Sequence, residues 1–521
     1  MLSLYKIFTV ARYEMKTLLR SWFFRIFSIL AIVILTFLDV GIHTSVGHTP
    51  WFLNGLNSSL PYMDLLLLNV AQAIIGVFLA SDFLKRDKKL DTTEVIYMRS
   101  MTNGDYVLGK TVGILLVFLA LNVIMLLVSA IFHIFFSNAA FVLAPYLLYP
   151  LLISLPTLMF IFGLSFLFMV VIRNQAVTFI VLLGYIAVTL FFLAKKAHHI
   201  FDYMAFNVPL MYSDFVGFGN LSGILIHRGI YFLFGLGFIF ATIFMIKRLP
   251  QSSAMTRFSG IFSAFCIVAA LALGSYYMSG FSRGADLREQ IVQLNQKYAD
   301  EPVAQPVRYN IDLNHQGSKI DVNAKLIFKN SSGQKIDKLI LNLNPGLKVK
   351  TVQSQNGALD FTQEKNLIIV KPDHPLSAGQ VDSITISYSG KINEDACYLD
   401  TKDEDRQELY RLWLYNVSKK FAFIRPDYVL LTPDVNWYPE FGLPMSVIYP
   451  KKTDKYFFNF NLKVTTNPAM RVISQGKMED KGGGTFVFTS EQPLPQRSLV
   501  IGKYAEKSLA VDSVDYHVYY L

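Results

Sequence analysis

The stretch from Thr111 to Val171 reads TVGILLVFLALNVIMLLVSAIFHIFFSNAAFVLAPYLLYPLLISLPTLMFIFGLSFLFMVV, without one Lys, Arg, Asp or Glu. A helix crosses a bilayer in roughly 17–25 apolar residues. This run is too long for one span, and Ser137-Asn138 and Pro145 mark a turn inside it. Working outward, similar apolar stretches lie on both sides. Together they predict seven spans at about 24–44, 62–82, 109–135, 146–172, 176–194, 229–246 and 259–280. Composition agrees. Hydrophobic residues make up 53% of the 521-residue chain and charged residues 17%, against roughly 25% charged in soluble domains. Disordered, collagen-like and disulfide-scaffold classes are excluded by the same figures. The N-terminus runs too long before the first span, and lacks a small-residue cleavage site, for a cleavable signal peptide.

Charge is unevenly placed. Residues 1–280 hold 18 Lys+Arg and 10 Asp+Glu, and residues 281–521 hold 30 and 28. The basic excess sits on the apolar half, where it reports topology rather than nucleic-acid binding. With the N-terminus inside, the inner side carries fifteen Lys and Arg, while Lys195, Lys196 and Arg228 fall in the outer loops. The positive-inside rule puts the N-terminus in the cytoplasm, and seven spans put everything after Gly280 outside. Cys266 and Cys397 have neither a disulfide partner nor a metal-ligand spacing.

Within the spans, Asp39, Asp64 and His133 fall near the outer ends and read as interfacial. No ion- or proton-coupling constellation is expected. Residues 1–23 form an amphipathic segment. Leu4, Ile7, Phe8, Ala11, Met15, Leu18, Leu19 and Trp22 share one helical face, and Arg12, Lys16 and Arg20 the other. Such a helix lies in the membrane interface; the alternative is a cytoplasmic extension of the first span.

Gly104-Asp-Tyr-Val-Leu-Gly109-Lys110-Thr111 satisfies the phosphate-loop pattern G-x-x-x-x-G-K-[ST]. That loop needs a preceding strand and small residues whose amides cradle phosphates. Here Tyr106, Val107 and Leu108 crowd it and a membrane span follows, so nucleotide binding is not expected. Residues 82–110 carry six basic and five acidic residues interleaved with Val95, Ile96, Tyr97 and Met98, which suits an interface. Asp91 and Glu94 have capping-box spacing, and Asn103-Gly104 reads as a turn.

This order of features resembles the ABC type-2 exporter permease family. Its members carry a charged stretch after the second span, a threonine-glutamate helix start, and Leu-Gly-Lys leading into the third. The matching residues are Asp82, Arg86, Thr93, Glu94 and Leu108-Gly109-Lys110; Thr92 stands where the family usually has glycine. The amphipathic N-terminus is similar to the family's elbow helix. The resemblance covers about residues 1–250. It implies a permease without ATP chemistry of its own, one half of a homo- or heterodimer. A separate ATPase subunit would dock on a cytoplasmic coupling segment, residues 82–108. The residues expected to meet that subunit are Asp82, Lys85, Arg86, Asp91, Thr93, Glu94, Tyr97, Arg99 and Lys110.

After a linker at 281–305, containing a short helix-like run from Asp286 to Tyr298, the period switches to two. Ile320, Val322, Ala324, Leu326 and Phe328 alternate with polar partners, as do Leu339, Leu341 and Leu343, and Ile384, Ile386 and Tyr388. Further strands are expected at Tyr456–Val464, Thr485–Phe488 and Ser498–Ile501. Many short strands at this spacing predict an all-β sandwich. Val307–Leu313, Lys319–Asn330, Leu341-Asn-Leu343-Asn-Pro345-Gly346-Leu347, Leu431-Thr-Pro433 with Trp437-Tyr438-Pro439, and Ile501-Gly502-Lys503-Tyr504 resemble the aminopeptidase N family of zinc metallopeptidases. They are similar to that family's non-catalytic, saddle-shaped N-terminal β domain, over about residues 304–521.

The expected architecture is therefore multi-domain. An interfacial helix (1–23) and a helical polytopic membrane domain (24–280) precede a linker (281–305) and an all-β saddle-like sandwich (306–521). No histidine is followed by Glu with a second His four residues on, so the family's two zinc ligands one turn apart are missing. No catalytic, cofactor or metal residue is assigned. Zinc enters only with a catalytic domain that would begin at about Tyr519–Leu521. Trp437 and Tyr438 are expected in the sandwich core or on a domain contact, and Asp403-Glu404-Asp405 in a solvated loop. The reading is a membrane permease subunit of an ABC-type exporter with an extracytoplasmic β domain, in a bacterial cytoplasmic membrane. The alternatives are the membrane-anchored first part of a zinc aminopeptidase, and a scaffold that has lost both activities.

Overall fold

The computed structural model describes residues 3–44, 55–81, 101–137, 139–246, 253–399, 401, 406, 410–412, 415–417, 420–444, 456–512 and 514–520. The chain forms two compact units, residues 1–280 with 409–418 and residues 281–408 with 419–521.

In the first unit an amphipathic helix, Leu4–Arg20, precedes seven helices long and apolar enough to cross a membrane. The spans are Trp22–Gly41, Ser59–Ala80, Asn103–Phe136, Leu143–Ile172, Gln175–Leu193, Leu221–Met245 and Ala254–Lys297. The third begins at Asn103, six residues before its expected start. Thr102 Oγ1 accepts from the Asp105 amide and the Asp105 carboxylate accepts from the Thr102 amide. This reciprocal cap turns the expected Asn103-Gly104 turn into the first helical residues. At 34 residues and a rise of about 1.5 Å each, the helix outreaches a hydrocarbon core of about 30 Å. Part of it therefore projects beyond an apolar layer of that thickness. The fourth span contains a π turn at Pro150–Ser154, just before Pro156.

Residues 281–297, expected as linker, instead continue the helix Ser253–Lys297 without a break. Ile291 and Leu294, one turn apart, are buried within the second unit, which gives this polar stretch an inner stripe. The rest of that unit is β structure. An eight-stranded sheet runs in the order Lys477–Gly482, Thr485–Thr489, Asn459–Thr465, Gln305–Gln316, Lys319–Lys329, Val381–Gly390, Leu347–Ser354, Gly357–Ala358. Asn459–Thr465 and Gln305–Gln316 pair in parallel. Two four-stranded sheets complete the sandwich. Ile320, Val322, Ala324, Leu326 and Phe328 face one core with Leu341, Ile368, Val429, Leu431, Val472 and Ile501. Strand Leu339–Asn342 departs from the expected alternation, because all four residues are buried. Leu294 of the helix and Leu367 pack with Ile340 on the face that would otherwise meet water.

Candidate functional site

Of the residues expected to meet an ATPase subunit, Asp82, Lys85, Arg86, Asp91, Thr93, Glu94, Tyr97 and Arg99 lie outside the described residues. Lys110 is described, and it is not a surface group. Its side chain is 5% exposed, with Nζ 3.9 Å from the Glu14 carboxylate and 4.9 Å from the centre of the Tyr106 ring. The partner belongs to the amphipathic helix, whose Ile7, Ala11, Glu14 and Leu18 form the buried face. Those residues recur every three or four positions and lie along the start of the third span. A Cβ on Gly109 would stand 2.5 Å from Val10 Cβ, and one on Gly113 2.7 Å from the Ala11 carbonyl. Only glycines four residues apart let the two backbones come so close. The Ser3 amide donates to Asp105 Oδ1 at 2.8 Å. Asn103 Nδ2 donates to the Ile246 carbonyl at 2.9 Å, bringing the end of the sixth span to the same point. Leu4, Phe8, Leu19 and Trp22 remain exposed, an apolar margin that suits the membrane interface.

The residues of the phosphate-loop pattern belong to the same helix. Gly104–Thr111 lies in the first turns of a helix, Gly109 is pressed against Val10, and Lys110 faces Glu14. The loop of free amides that a phosphate requires has no counterpart in a capped helix.

The membrane unit also holds polar groups whose setting the sequence does not reveal. Arg228, expected in an outer loop, lies inside the sixth span and is 2% exposed. Nε donates to the Leu152 carbonyl at 2.7 Å, Nη1 to Tyr203 O at 2.9 Å, and Nη2 to Ile153 O at 3.0 Å and Thr157 Oγ1 at 2.8 Å. The cause lies in the fourth span. Pro156 has no N–H for the carbonyl four residues earlier, which is that of Leu152. Arg228 supplies the missing donor beside the π turn. Asp202 stands near the guanidinium, outside the spans, and burial raises its carboxyl to about 6. Asp39, Asp64 and His133, expected at the interface, are all buried.

In the β unit, Trp437, Tyr438 and Pro439 are buried. Trp437 Nε1 donates to Arg497 O at 3.1 Å, Tyr388 Oη to Trp437 O at 3.1 Å, and the Arg497 amide to Tyr438 Oη at 3.3 Å. These contacts make the motif a core strut. The Arg497 guanidinium is buried over the Phe460 ring at 4.9 Å. Its nitrogens find no hydrogen-bond acceptor among the described residues, and burial lowers its pKa. Burial also raises the Glu440 carboxyl to about 7, against the opposing hydrogen bond from Tyr438. The Cys397 thiol is pushed up to about 12, chiefly by burial. Asn344 locks the Asn342–Gly346 motif. It donates to Asn393 O and Val435 O, both at 3.1 Å, and accepts from the Gly346 and Asn393 amides.

His315 bonds to Thr466 Oγ1 and Gly317 O, and His517 to Glu506. Among the described residues no three His, Cys, Asp or Glu side chains are grouped to hold a metal. Asp403-Glu404-Asp405 lies outside the described residues.

No protein-family model matches the chain, and no curated protein matches it. Solved structures similar to it include an M1 zinc metallopeptidase from Deinococcus radiodurans, at 15% identity and a TM-score of 0.30. That likeness covers 42% of this chain and 47% of the other. A mutant form of that peptidase bound to a Tyr-Ser-Ala substrate is similar at 14% identity and a TM-score of 0.30, covering 41% and 46%. A two-domain M1 zinc metallopeptidase mutant bound to L-tryptophan is similar at 15% identity and a TM-score of 0.29, covering 42% and 47%. The chain thus spans under half the length of these solved structures.

Proposed function

We propose that this chain is the membrane permease subunit of an ABC-type exporter, carrying an extracytoplasmic aminopeptidase-like β domain that performs no catalysis. The observation that carries the reading is the seat of the amphipathic helix on the third span. Gly109 and Gly113 admit it, Glu14 and Lys110 pair within it, and Asn103 ties the sixth span to the same place. A charged segment, residues 82–101, leads directly into this junction. A separate ATPase closing on that segment would push on a lever already braced against two spans. ATP binding and hydrolysis belong to that subunit, and residues 82–101 with the junction behind them receive its motion. The β domain offers a binding surface to a partner or substrate on the far side of a bacterial cytoplasmic membrane.

The test is to look for an ABC ATPase gene beside that of this chain and to co-express the two. The two should purify together in detergent, and the ATPase rate should rise in the complex. Removal of residues 82–101 should abolish both effects. The purified chain alone should hydrolyse neither ATP nor aminoacyl substrates. An ATPase that neither binds the chain nor changes rate defeats the permease reading. Chelator-sensitive aminopeptidase activity of the chain defeats the non-catalytic one.

A further inference from the structure

The eight-stranded sheet of the β unit buries one face and leaves the other open. Ile311, Leu313, Leu326, Ile384, Ile386 and Leu462 point into the core, so the residues that alternate with them point away from it. The pairing registers set these outward side chains in two rows that cross the strands. Asn461, Asn310, Lys325 and Thr385 form one row. Val487, Lys463, Asp312, Asn323 and Ser387 form the next. All but Ser387 line a depression of about 350 Å³. Asparagine is depleted in strands, yet Asn461, Asn310 and Asn323 stand on three neighbouring strands in the middle of the sheet. They are held by bonds across the strands. Asn461 Nδ2 donates to Asn310 Oδ1 at 2.9 Å, and Ser387 Oγ donates to Asn323 Oδ1 at 3.1 Å. Each amide uses one of its two groups in this way, and the other has no partner among the described residues. Lys463 Nζ lies 2.9 Å from the Asp312 carboxylate. Neither Lys325 nor Arg308, its diagonal neighbour on the adjoining strand, has a carboxylate partner among the described residues. Side chains so placed lie about 7–8 Å apart, and an anion over the rows would relieve the repulsion between the two cations.

We propose that this face binds an acidic polysaccharide, a hydroxyl-rich chain bearing carboxylates, laid along the two rows across the strands. A sugar hydroxyl both donates and accepts, and so does a primary amide, so the free amide groups of Asn310, Asn323 and Asn461 suit either role. Neighbouring strands lie about 4.8 Å apart, close to the length that one sugar unit adds to a chain, so successive units meet successive strands. Lys325 and Arg308 take the carboxylates through charge-assisted bonds. A neutral polysaccharide would leave both cations unanswered. An acidic polypeptide is the poorer fit. Peptides bind sheets by adding at an edge, with side chains set in pockets, whereas these rows cross inner strands and Val487 is their one apolar side chain. The inference names a ligand for the binding surface ascribed above to the β domain. It rests on that reading for the side of the membrane on which the ligand is met, while binding itself needs no ATPase.

Calorimetric titration of the full-length protein in phosphatidylcholine nanodiscs tests it, with empty nanodiscs as the blank. The probes are polygalacturonate, neutral dextran and polyglutamate. Polygalacturonate should bind, more weakly as salt rises, and the other two should bind far less tightly. Lys325→Glu, a change on an exposed side chain, should weaken polygalacturonate binding roughly tenfold or more. The double variant N310V/N461V removes two amides while raising strand propensity. Its thermal unfolding should come no earlier than that of the wild type, and its affinity for polygalacturonate should fall several-fold. Absence of polygalacturonate binding overturns the proposal. Equal binding of dextran shows that charge plays no part, equal binding of polyglutamate shows that hydroxyls play none, and either overturns it. Affinity unchanged in both variants places the binding elsewhere and overturns the site. Failure of the ATPase test leaves these results as they are, so the two readings fall separately.

Discussion

Replacing Arg228 by methionine should loosen the membrane unit measurably without abolishing its folding. The side chain makes four hydrogen bonds of 2.7–3.0 Å, three to backbone carbonyls and one to Thr157 Oγ1. In water-soluble proteins a bond to a charged group contributes roughly 1.5–3 kcal/mol. Measured interhelical bonds within membranes average about 0.6 kcal/mol, because an unfolded chain in lipid also finds partners. Four bonds at the membrane value give about 2–3 kcal/mol. Methionine removes the cost of burying a guanidinium, which offsets part of the loss. It also leaves the Leu152 carbonyl without the donor that Pro156 cannot supply, which adds about 1–3 kcal/mol. The expected net loss is about 2–4 kcal/mol. Reversible unfolding of the detergent-solubilised protein, followed by circular dichroism, would measure it. Arg228→Lys should lose less, since an ammonium reaches some of these acceptors but not four at once. The double replacement Pro156→Ala with Arg228→Met should recover part of the loss, because alanine returns the missing N–H. If the single and double variants are equally unstable, Arg228 does not serve the carbonyl that proline leaves open.

Three further outcomes are expected. Gly109→Ala puts a methyl 2.5 Å from Val10 Cβ and 2.9 Å from Ile7 O, an overpacking cost of about 1–3 kcal/mol; proteolysis at the amphipathic helix should accelerate, and Val10→Ala should relieve it in part. The Glu440 carboxyl rises from its ordinary 4.5 to about 7, so the folded β unit binds more protons than the unfolded chain between those values. Its contribution to stability is full below pH 4.5 and is lost as pH rises through 7, an effect of about 3 kcal/mol; hydrogen exchange of strand amides near Phe441 should show this slope in the wild type and a flatter one in Glu440→Gln. An impermeant thiol reagent should label Ser387→Cys and spare Ser100→Cys in intact cells, and the reverse pattern inverts the topology.

The seven spans were legible because length and apolar content decide membrane crossing, and the strands because side chains of Lys319–Lys329 alternate strictly between core and water. Their ends were less legible. The third span starts early because Thr102 and Asp105 close a cap around residues that otherwise read as a turn. The stretch 281–297 looked like linker because only Ile291 and Leu294 carry its inner stripe, and a polar helix with two anchors has a weak period. Arg228 was assigned to a loop because a charge usually marks one. What holds it inside is a carbonyl freed by a proline some seventy residues away, which no local window contains. Asp39 and Asp64 lie near the ends of their spans as expected, but their burial depends on which spans are neighbours, and hydropathy carries no information on neighbours.

Asn69 of the second span donates to Thr157 Oγ1 of the fourth at 3.1 Å and to Met204 O at 2.7 Å. Ser154 of the fourth donates to Asn122 of the third at 3.0 Å, and Asn122 reaches Gln72 of the second at 3.4 Å. Arg228 adds the sixth span through the same Thr157. Spans two, three, four and six are thus tied by buried polar bonds, which hold discrete geometries where apolar contacts in lipid would slide. The first span presents Ile29, Val33 and Phe37, one per turn, to the surroundings, and the fifth presents Ile180 and Phe191. A push delivered at the Gly109 junction would therefore travel through the four tied spans together.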